Sequence, residues 1–326
     1  MFALAGLVIL HATLSALFAE VIMRLWRVQD PGERAALRWV SLLLPLIAIP
    51  LFAWLAPFRS SETFAATWAL FAGLHWNQVT VAGAGLATIA TGLLGAAGLL
   101  LFLRDAWPFL ADRVGRSEDG DTIADPAATD RIASAIAAIR AVDSGLPEPR
   151  IVLLSRNAPV LLCKGVDRPL IVISRGTLDR LGPDELRAAL THELAHAHYR
   201  DPLTGWLLMA VRTSAWFSPA TQIVARQLVQ ELEHRADLAA ARTAGPEPLG
   251  RAIAALSDAP DADTDLREAV GGLSRTYRFL DRAEREAVGE RCDRVFHHPA
   301  PPTSRVPRLR LAIAVGGLAA LLFFIV

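Results

Sequence analysis

The chain has 326 residues, enough for one or two domains, and its 33 basic and 33 acidic side chains cancel to a formal charge of zero. A neutral chain gives no electrostatic case for a nucleic-acid partner. Hydrophobic residues reach 53 %, more than an ordinary soluble protein carries, and they gather in blocks, which points to a lipid bilayer.

Phe2–Met23 has membrane-spanning length and lacks the basic start of a signal peptide, so a retained helix is expected, interrupted by His11 and Glu20. Arg24, Arg27, Arg34 and Arg38 follow. Val40–Phe58 is the second expected span, with Pro45 and Pro50 placed to kink it. Ser60 or Ser61 can then cap a short interfacial helix carrying Phe64, Trp68, Phe71 and Trp76. Val79–Leu103 is the third expected span; Thr80, Ala84, Thr88, Gly92 and Ala96 give it a face of small residues suited to close packing. Leu311–Val326 is a short fourth, lengthened by Leu309 and by snorkelling of Arg308 and Arg310. Arginines flank the inner ends of all four runs. The positive-inside bias therefore predicts an inner- or plasma-membrane protein with its N-terminus outside and Arg104–Arg310 in the cytoplasm.

Gly115–Asp125 reads as a polar linker and Pro126–Asp143 as an amphipathic helix through Ile132, Ile136, Ile139 and Val142. Arg150–Leu154, Pro159–Cys163 and Leu170–Ser174 are short β-like runs, a small sheet leading into the next helix. Pro202–Phe217 is apolar and is expected to lie against the membrane, and Ala220–Thr243 is a second long helix closed by Gly245-Pro246. Cys163 and Cys292 sit in unrelated contexts and read as reduced thiols, which excludes a cysteine zinc site.

The chemistry concentrates in Leu190-Thr191-His192-Glu193-Leu194-Ala195-His196-Ala197. On a helix, residues four apart stack one turn above each other, so His192 and His196 share a face and can grip one metal ion. The helix has its own start signal, Gly182-Pro183-Asp184-Glu185, and a buried stripe of Leu186, Ala189, Leu190, Leu194 and Ala197. Two imidazoles and a carboxylate suit one zinc per chain, and Glu193 beside them is placed to act as general base on an activated water. A third ligand is needed. Glu233 is the best candidate, with Asp237 four residues on, where it can accept a proton from a ligand histidine. Glu231 and His234 remain rivals that spacing does not exclude, and His198 points elsewhere on the helix.

These residues carry a family resemblance. Arg168-Pro169-Leu170-Ile171-Val172-Ile173, the Gly182-Pro183-Asp184-Glu185-Leu186 start, the two-histidine motif, Arg200-Asp201-Pro202, Trp216-Phe217-Ser218-Pro219 and Glu233 with Asp237 resemble integral-membrane gluzincin peptidases. They look most like the membrane peptidases of β-lactam sensing. Ala236 stands where that family usually has cysteine, and its signalling members carry a sensor domain after the fourth span, where this chain ends. Ala236-Asp237 and His298-Pro299 with Arg305-Val306 look instead like the HtpX and CAAX prenyl protease family.

The resemblance implies a mainly α membrane protein with a cytoplasmic α+β zincin-like domain. The division expected is 1–104 for three membrane helices, 105–308 for the zinc domain and 309–326 for the last helix. It implies zinc held by His192, His196 and Glu233, with Asp237 behind them, and hydrolysis of protein or peptide substrates with Glu193 as base. His298 and Arg305 are candidate oxyanion or substrate-positioning groups. The substrate strand is expected to pair with an exposed edge near Leu170–Ser174. A signalling module with its own regulator or sensor partner, or a metal-binding scaffold without catalysis, are the alternative readings.

Overall fold

The computed structural model describes residues 2–70, 80–81, 84–115, 123–165, 170–257, 291, 293 and 307–326. In chain order these form α1 (Phe2–Leu25), α2 (Pro31–Leu55), a 3-10 turn (Pro57–Ser60), α3 (Glu62–Thr67), β1 (Thr80–Val81), β2 (Ala84–Gly85) and α4 (Leu86–Gly115). Then come α5 (Pro126–Val142), β3 (Arg150–Leu154), β4 (Leu161–Lys164), β5 (Leu170–Ser174), α6 (Arg175–Arg180) and α7 (Pro183–Tyr199). The remainder is α8 (Asp201–Ser214), α9 (Pro219–Ala244), α10 (Pro246–Ser257) and α11 (Arg308–Phe323). The protein is mainly helical, with membrane helices and a small α+β part, as expected.

The chain divides into two compact units, Met1–Leu103 with Leu208–Glu231 and Pro302–Val326, and Arg104–Leu207 with Leu232–Pro301. The sequence reading assigns all of 105–308 to one domain; the structure gives Leu208–Glu231 to the first unit instead. Specific contacts cause this. The Thr213 backbone oxygen lies 2.8 Å from where a Cβ on Gly98 would stand, so α4 and α8 pack too closely there for any larger residue. Gln227 and Glu231 bond to Arg34 and Arg38 of α2.

In the first unit, Ala5–Leu25 and Pro31–Leu55 are long and apolar enough to cross a membrane. Asp30 caps α2 through a 2.8 Å bond from the Glu33 amide, and Pro31 opens the helix, so α2 begins nine residues before the expected Val40. It runs on through both prolines to Leu55. The expected third span is broken by the antiparallel pair β1–β2, and the apolar stretch of α4 is the shorter Gly92–Arg104. Gly92, on the proposed small-residue face, has nothing within 4 Å, so the close packing falls at Gly98 instead. At 16 residues, or about 24 Å, α11 is shorter than a hydrocarbon core, yet it buries Ala314, Leu318 and Leu322 against α1 and α2. Ser61, not Ser60, caps α3.

The arginines of α2 do not simply face water. Arg38, 4 % exposed, donates to Glu20 at 2.9 Å and to Gln227 at 2.6 Å, and lies 3.4 Å from Glu231. Arg34 donates to the same Glu231 oxygen at 2.7 Å. Glu20 thus ends in an ion pair.

In the second unit the sheet order is β3-β5-β4, with β3 parallel and β4 antiparallel to β5. This corrects the expected substrate edge. β5 is the central strand, paired on both sides, and Ile171, Val172, Ile173 and Ser174 are buried; β3 and β4 are the two end strands. Leu186, Leu190 and Leu194 of α7 join Ile171 and Ile173 of β5 and Ile132 and Ile139 of α5 in one core. Each such side chain stabilises the unit by about 1.5–3 kcal/mol, which fixes the rotation of α7 and hence where its polar face points. Ile132 and Ile139 carry the buried face of α5, whereas Val142, expected on it, is exposed. On the other side of α7, Ala188 packs with Ala240, Leu249 and Ile253.

Candidate metal centre

The helix α7 starts as its sequence demands. Pro183 takes the first position, where no amide bond is lost, and the Glu185 carboxylate reaches back to accept from the Gly182 amide. With Leu186, Leu190 and Leu194 turned into the core, His192, Glu193 and His196 take the remaining face. The helix ends at Arg200, whose left-handed backbone (φ 57°, ψ 39°) turns the chain directly into α8. That turn brings Asp201 back beside His196.

Three ligand-bearing side chains converge here. His192, His196 and Glu233 each offer an atom within 4.8 Å of the others. The two Nε2 atoms lie 3.0 Å apart, and the Glu233 carboxylate oxygens lie 3.3 Å from His192 Nε2 and 3.4 Å from His196 Nε2. A tetrahedral zinc with bonds of about 2.0–2.1 Å needs its ligand atoms roughly 3.3 Å apart. The three side chains fit that ion. Glu233 Oε2 has no hydrogen bond, as befits an oxygen aimed at a cation rather than at a donor.

Behind this point stand carboxylates. His196 Nδ1 pairs with Asp201 Oδ2 at 2.9 Å. His192 Nδ1 lies 3.1 Å from Asp237 Oδ1, close but too poorly aligned for a hydrogen bond. A carboxylate beside each Nδ1, hydrogen-bonded at His196 and acting by its charge at His192, favours the proton there and leaves each Nε2 with a lone pair for a metal. Two arginines brace the aspartates. Arg291 binds Asp237 through Nε at 3.0 Å and Nη2 at 2.7 Å, and its Nη1 lies 3.5 Å from Glu233 Oε2. Arg235 reaches Asp201 Oδ1 at 2.6 Å and lies over the Tyr199 ring, 3.8 Å from its centroid.

The electrostatics without a metal follow from these contacts. Burial alone would lower the pKa of His192, but the Asp237 and Glu233 carboxylates outweigh it and push it up to about 10. His196 is raised for the same reason, Glu233 and Asp201 overriding burial. Burial would raise Glu233 and Asp237; instead His196, His192 and Arg291 hold Glu233, and Arg291 with His192 holds Asp237, below the usual carboxylate range. Protons thus occupy the imidazoles where a divalent cation can take over the charge.

Glu193 is buried next to His192 on α7, and its charge, after burial itself, helps to push up the Cys163 thiol on β4. Cys163 is accordingly a neutral, buried, unbridged thiol. Of the rival third ligands, Glu231 is committed to Arg34 and Arg38 and His234 is not in the metal-competent cluster; His198 is exposed, its ring against Tyr199. His298 and Arg305, with Arg168 and Pro169, lie outside the described residues. Sequence reasoning gave no role to Asp201, Arg235 or Arg291. Asp201 could have been found, because a helix that ends just after His196 can fold an acid five residues on against that imidazole. No local signal marks Arg291.

Comparison with known proteins agrees with the resemblance in the sequence. Residues 144–247, from just before β3 into α10, match the family described as BlaR1 peptidase M56. The chain is 30 % identical over 77 residues to a protease HtpX homolog of Desulfatibacillum aliphaticivorans, covering 23 % of this chain and 25 % of that protein. A protease HtpX homolog of Syntrophobacter fumaroxidans is 32 % identical over 83 residues, 22 % of this chain and 29 % of its own length. The regulatory protein BlaR1 of Bacillus licheniformis is 29 % identical over 96 residues, 28 % of this chain and 16 % of its own. The matches thus cover between 16 % and 29 % of these relatives. They support a metallopeptidase of the membrane type, and the His/Glu cluster lies inside the matched stretch.

Proposed function

We propose that the protein is a membrane-embedded zinc endopeptidase that cuts cytosolic or membrane-adjacent proteins. The observation that carries this reading is the convergence of His192 Nε2, His196 Nε2 and a Glu233 carboxylate, one oxygen of which has no hydrogen bond, at the spacing a tetrahedral zinc needs. Zinc bound there supplies Lewis acidity, making water a nucleophile near neutral pH and polarising the scissile carbonyl. Glu193 takes the proton of the attacking water and returns it to the leaving amine. Asp237 and Asp201 keep the two imidazoles in the metal-binding tautomer. An extended substrate pairs along β4, one of the two end strands of the sheet and the one that carries Cys163 within the field of Glu193. His298 and Arg305 remain the candidate oxyanion donors.

The same reading puts the zinc domain on the cytoplasmic face of an inner or plasma membrane with the N-terminus outside, supported by Arg24 in the last turn of α1, Arg27 just after it and Arg104 within α4. It counts α1 and α2 as full passes before the zinc domain and takes the shorter apolar stretch Gly92–Arg104 of α4 as the third and α11 as the one after. The similarity to a regulatory protein favours a second reading, in which cleavage is one step of a signalling device with a regulator as partner. Glu193 beside the metal cluster argues against a scaffold without catalysis.

The test is Glu193→Gln in purified protein, assayed on an unfolded protein substrate. The variant should keep its zinc and lose turnover by at least about 10²–10⁴-fold, the usual worth of general acid–base catalysis. A variant as active as wild type, on a substrate whose cleavage chelation stops, would refute the assignment.

A further inference from the structure

We propose that Arg291 and Arg235 are positioning residues, each fixing one metal-binding histidine through its own aspartate: Arg291–Asp237–His192 and Arg235–Asp201–His196. The proposal rests on the zinc reading above and adds to it two residues outside the proposed ligand set, of which Arg291 also stands 3.5 Å from Glu233 Oε2. The two chains repeat one arrangement. In each, an imidazole presents Nε2 to the cluster and Nδ1 to a carboxylate oxygen, at 3.1 Å for His192 and 2.9 Å for His196. In each, the aspartate is held by an arginine, Asp237 by Arg291 and Asp201 by Arg235.

A buried aspartate alone cannot orient a histidine well. Its side chain turns about two bonds, and its charge is costly away from water. A guanidinium answers both problems, because its planar fork fixes the carboxylate plane and balances its charge. Asp237 and Arg291 have side chains only 2 % and 5 % exposed, and two bonds, at 2.7 and 3.0 Å, join them. The Asp201 chain is looser, with one short bond and an Arg235 side chain 19 % exposed, steadied by the Tyr199 ring. Residues 233–237 of α9 are therefore used three times: Glu233 toward the metal, Asp237 toward His192, and Arg235 toward the partner of His196. The two chains are unequal, and Arg291 carries the greater share.

Zinc affinity of the folded full-length protein, measured by competition with a chromophoric chelator, tests this apart from turnover. Removing an outer partner of a ligand histidine typically weakens metal binding 10–100-fold, and Asp237→Asn should do so. Arg291→Met should weaken it about 10-fold, Arg291→Lys, which keeps charge but not the fork, by less, and Arg235→Met by only about 3-fold. The deciding measurement is the double variant. If Arg291 acts through Asp237, then Arg291→Met added to Asp237→Asn should cost no more than about 2-fold further. Wild-type affinity in Arg291→Lys and Arg291→Met, or fully additive losses in the double variant, would overturn the proposal while leaving the zinc site standing. Wild-type protein that binds no zinc would instead sink the underlying reading.

Discussion

Glu231 and Glu233 are two residues apart on α9, both largely buried, and chemically opposite. Glu231 is in the first unit's ion-pair cluster, where Arg34 and Arg38 meet one of its oxygens at 2.7 and 3.4 Å. Glu233 is in the second unit's cluster, where two imidazoles flank it and one oxygen, with Arg291 3.5 Å away, has no hydrogen bond. The first cluster is closed, with arginine cations already beside its acids. The second has three groups aimed at one point. A buried acid is a structural anchor when fixed cations hydrogen-bond to it, and a binding group when neighbours hold its orientation but leave an oxygen without a hydrogen bond.

Removing a cation from the closed cluster should have the larger thermodynamic effect. Arg38→Met leaves Glu231 with Arg34 alone and strips Glu20 of its partner, and breaking a buried pair in this way typically costs about 3–5 kcal/mol. The unfolding midpoint in detergent should fall accordingly. A midpoint within a degree or two of wild type would mean that the cluster is not closed.

A pH titration should separate the open cluster from the closed one. Because the His192 pKa is raised from 6.5 to about 10 in the metal-free protein, its contribution to stability is full below pH 6.5 and is lost as pH rises through 10. Zinc needs the imidazole neutral, so its apparent affinity should climb over the same range, by up to about 10-fold per pH unit for each proton displaced. Calorimetry in buffers of different ionisation enthalpy should find protons released on binding at pH 7. Zinc binding with no proton release would contradict the electrostatics described here.

Much of the second unit could be read from the chain because its pattern is local. The four-residue step of His192 and His196, and again of Glu233 and Asp237, places each pair on one helix face whatever the rest of the fold does. The strands were readable for the same reason, but their order was not. Leu170-Ile171-Val172-Ile173 is a continuous apolar run, the mark of a strand covered on both faces, and it is the centre of the sheet rather than the edge. Long-range pairings escaped altogether. Arg291 meets Asp237 across 54 residues, Arg235 meets Asp201 across 34, and Arg34 meets Glu231 across 197. That last pairing is what removes Glu231 from the ligand set, and spacing alone could not do it. In the first unit, apolar content overstated α4, because a glycine-rich β1–β2 pair interrupts the run before Leu86.

The most direct measurement is zinc per chain in two isosteric variants, Glu231→Gln and Glu233→Gln, purified side by side and washed with a weak chelator. If Glu233 completes the metal centre and Glu231 only closes an ion-pair cluster, Glu231→Gln should keep about one zinc per chain and Glu233→Gln should lose most of it. Full zinc in Glu233→Gln with loss in Glu231→Gln would contradict the contrast between the two glutamates and, with it, the metal centre proposed here.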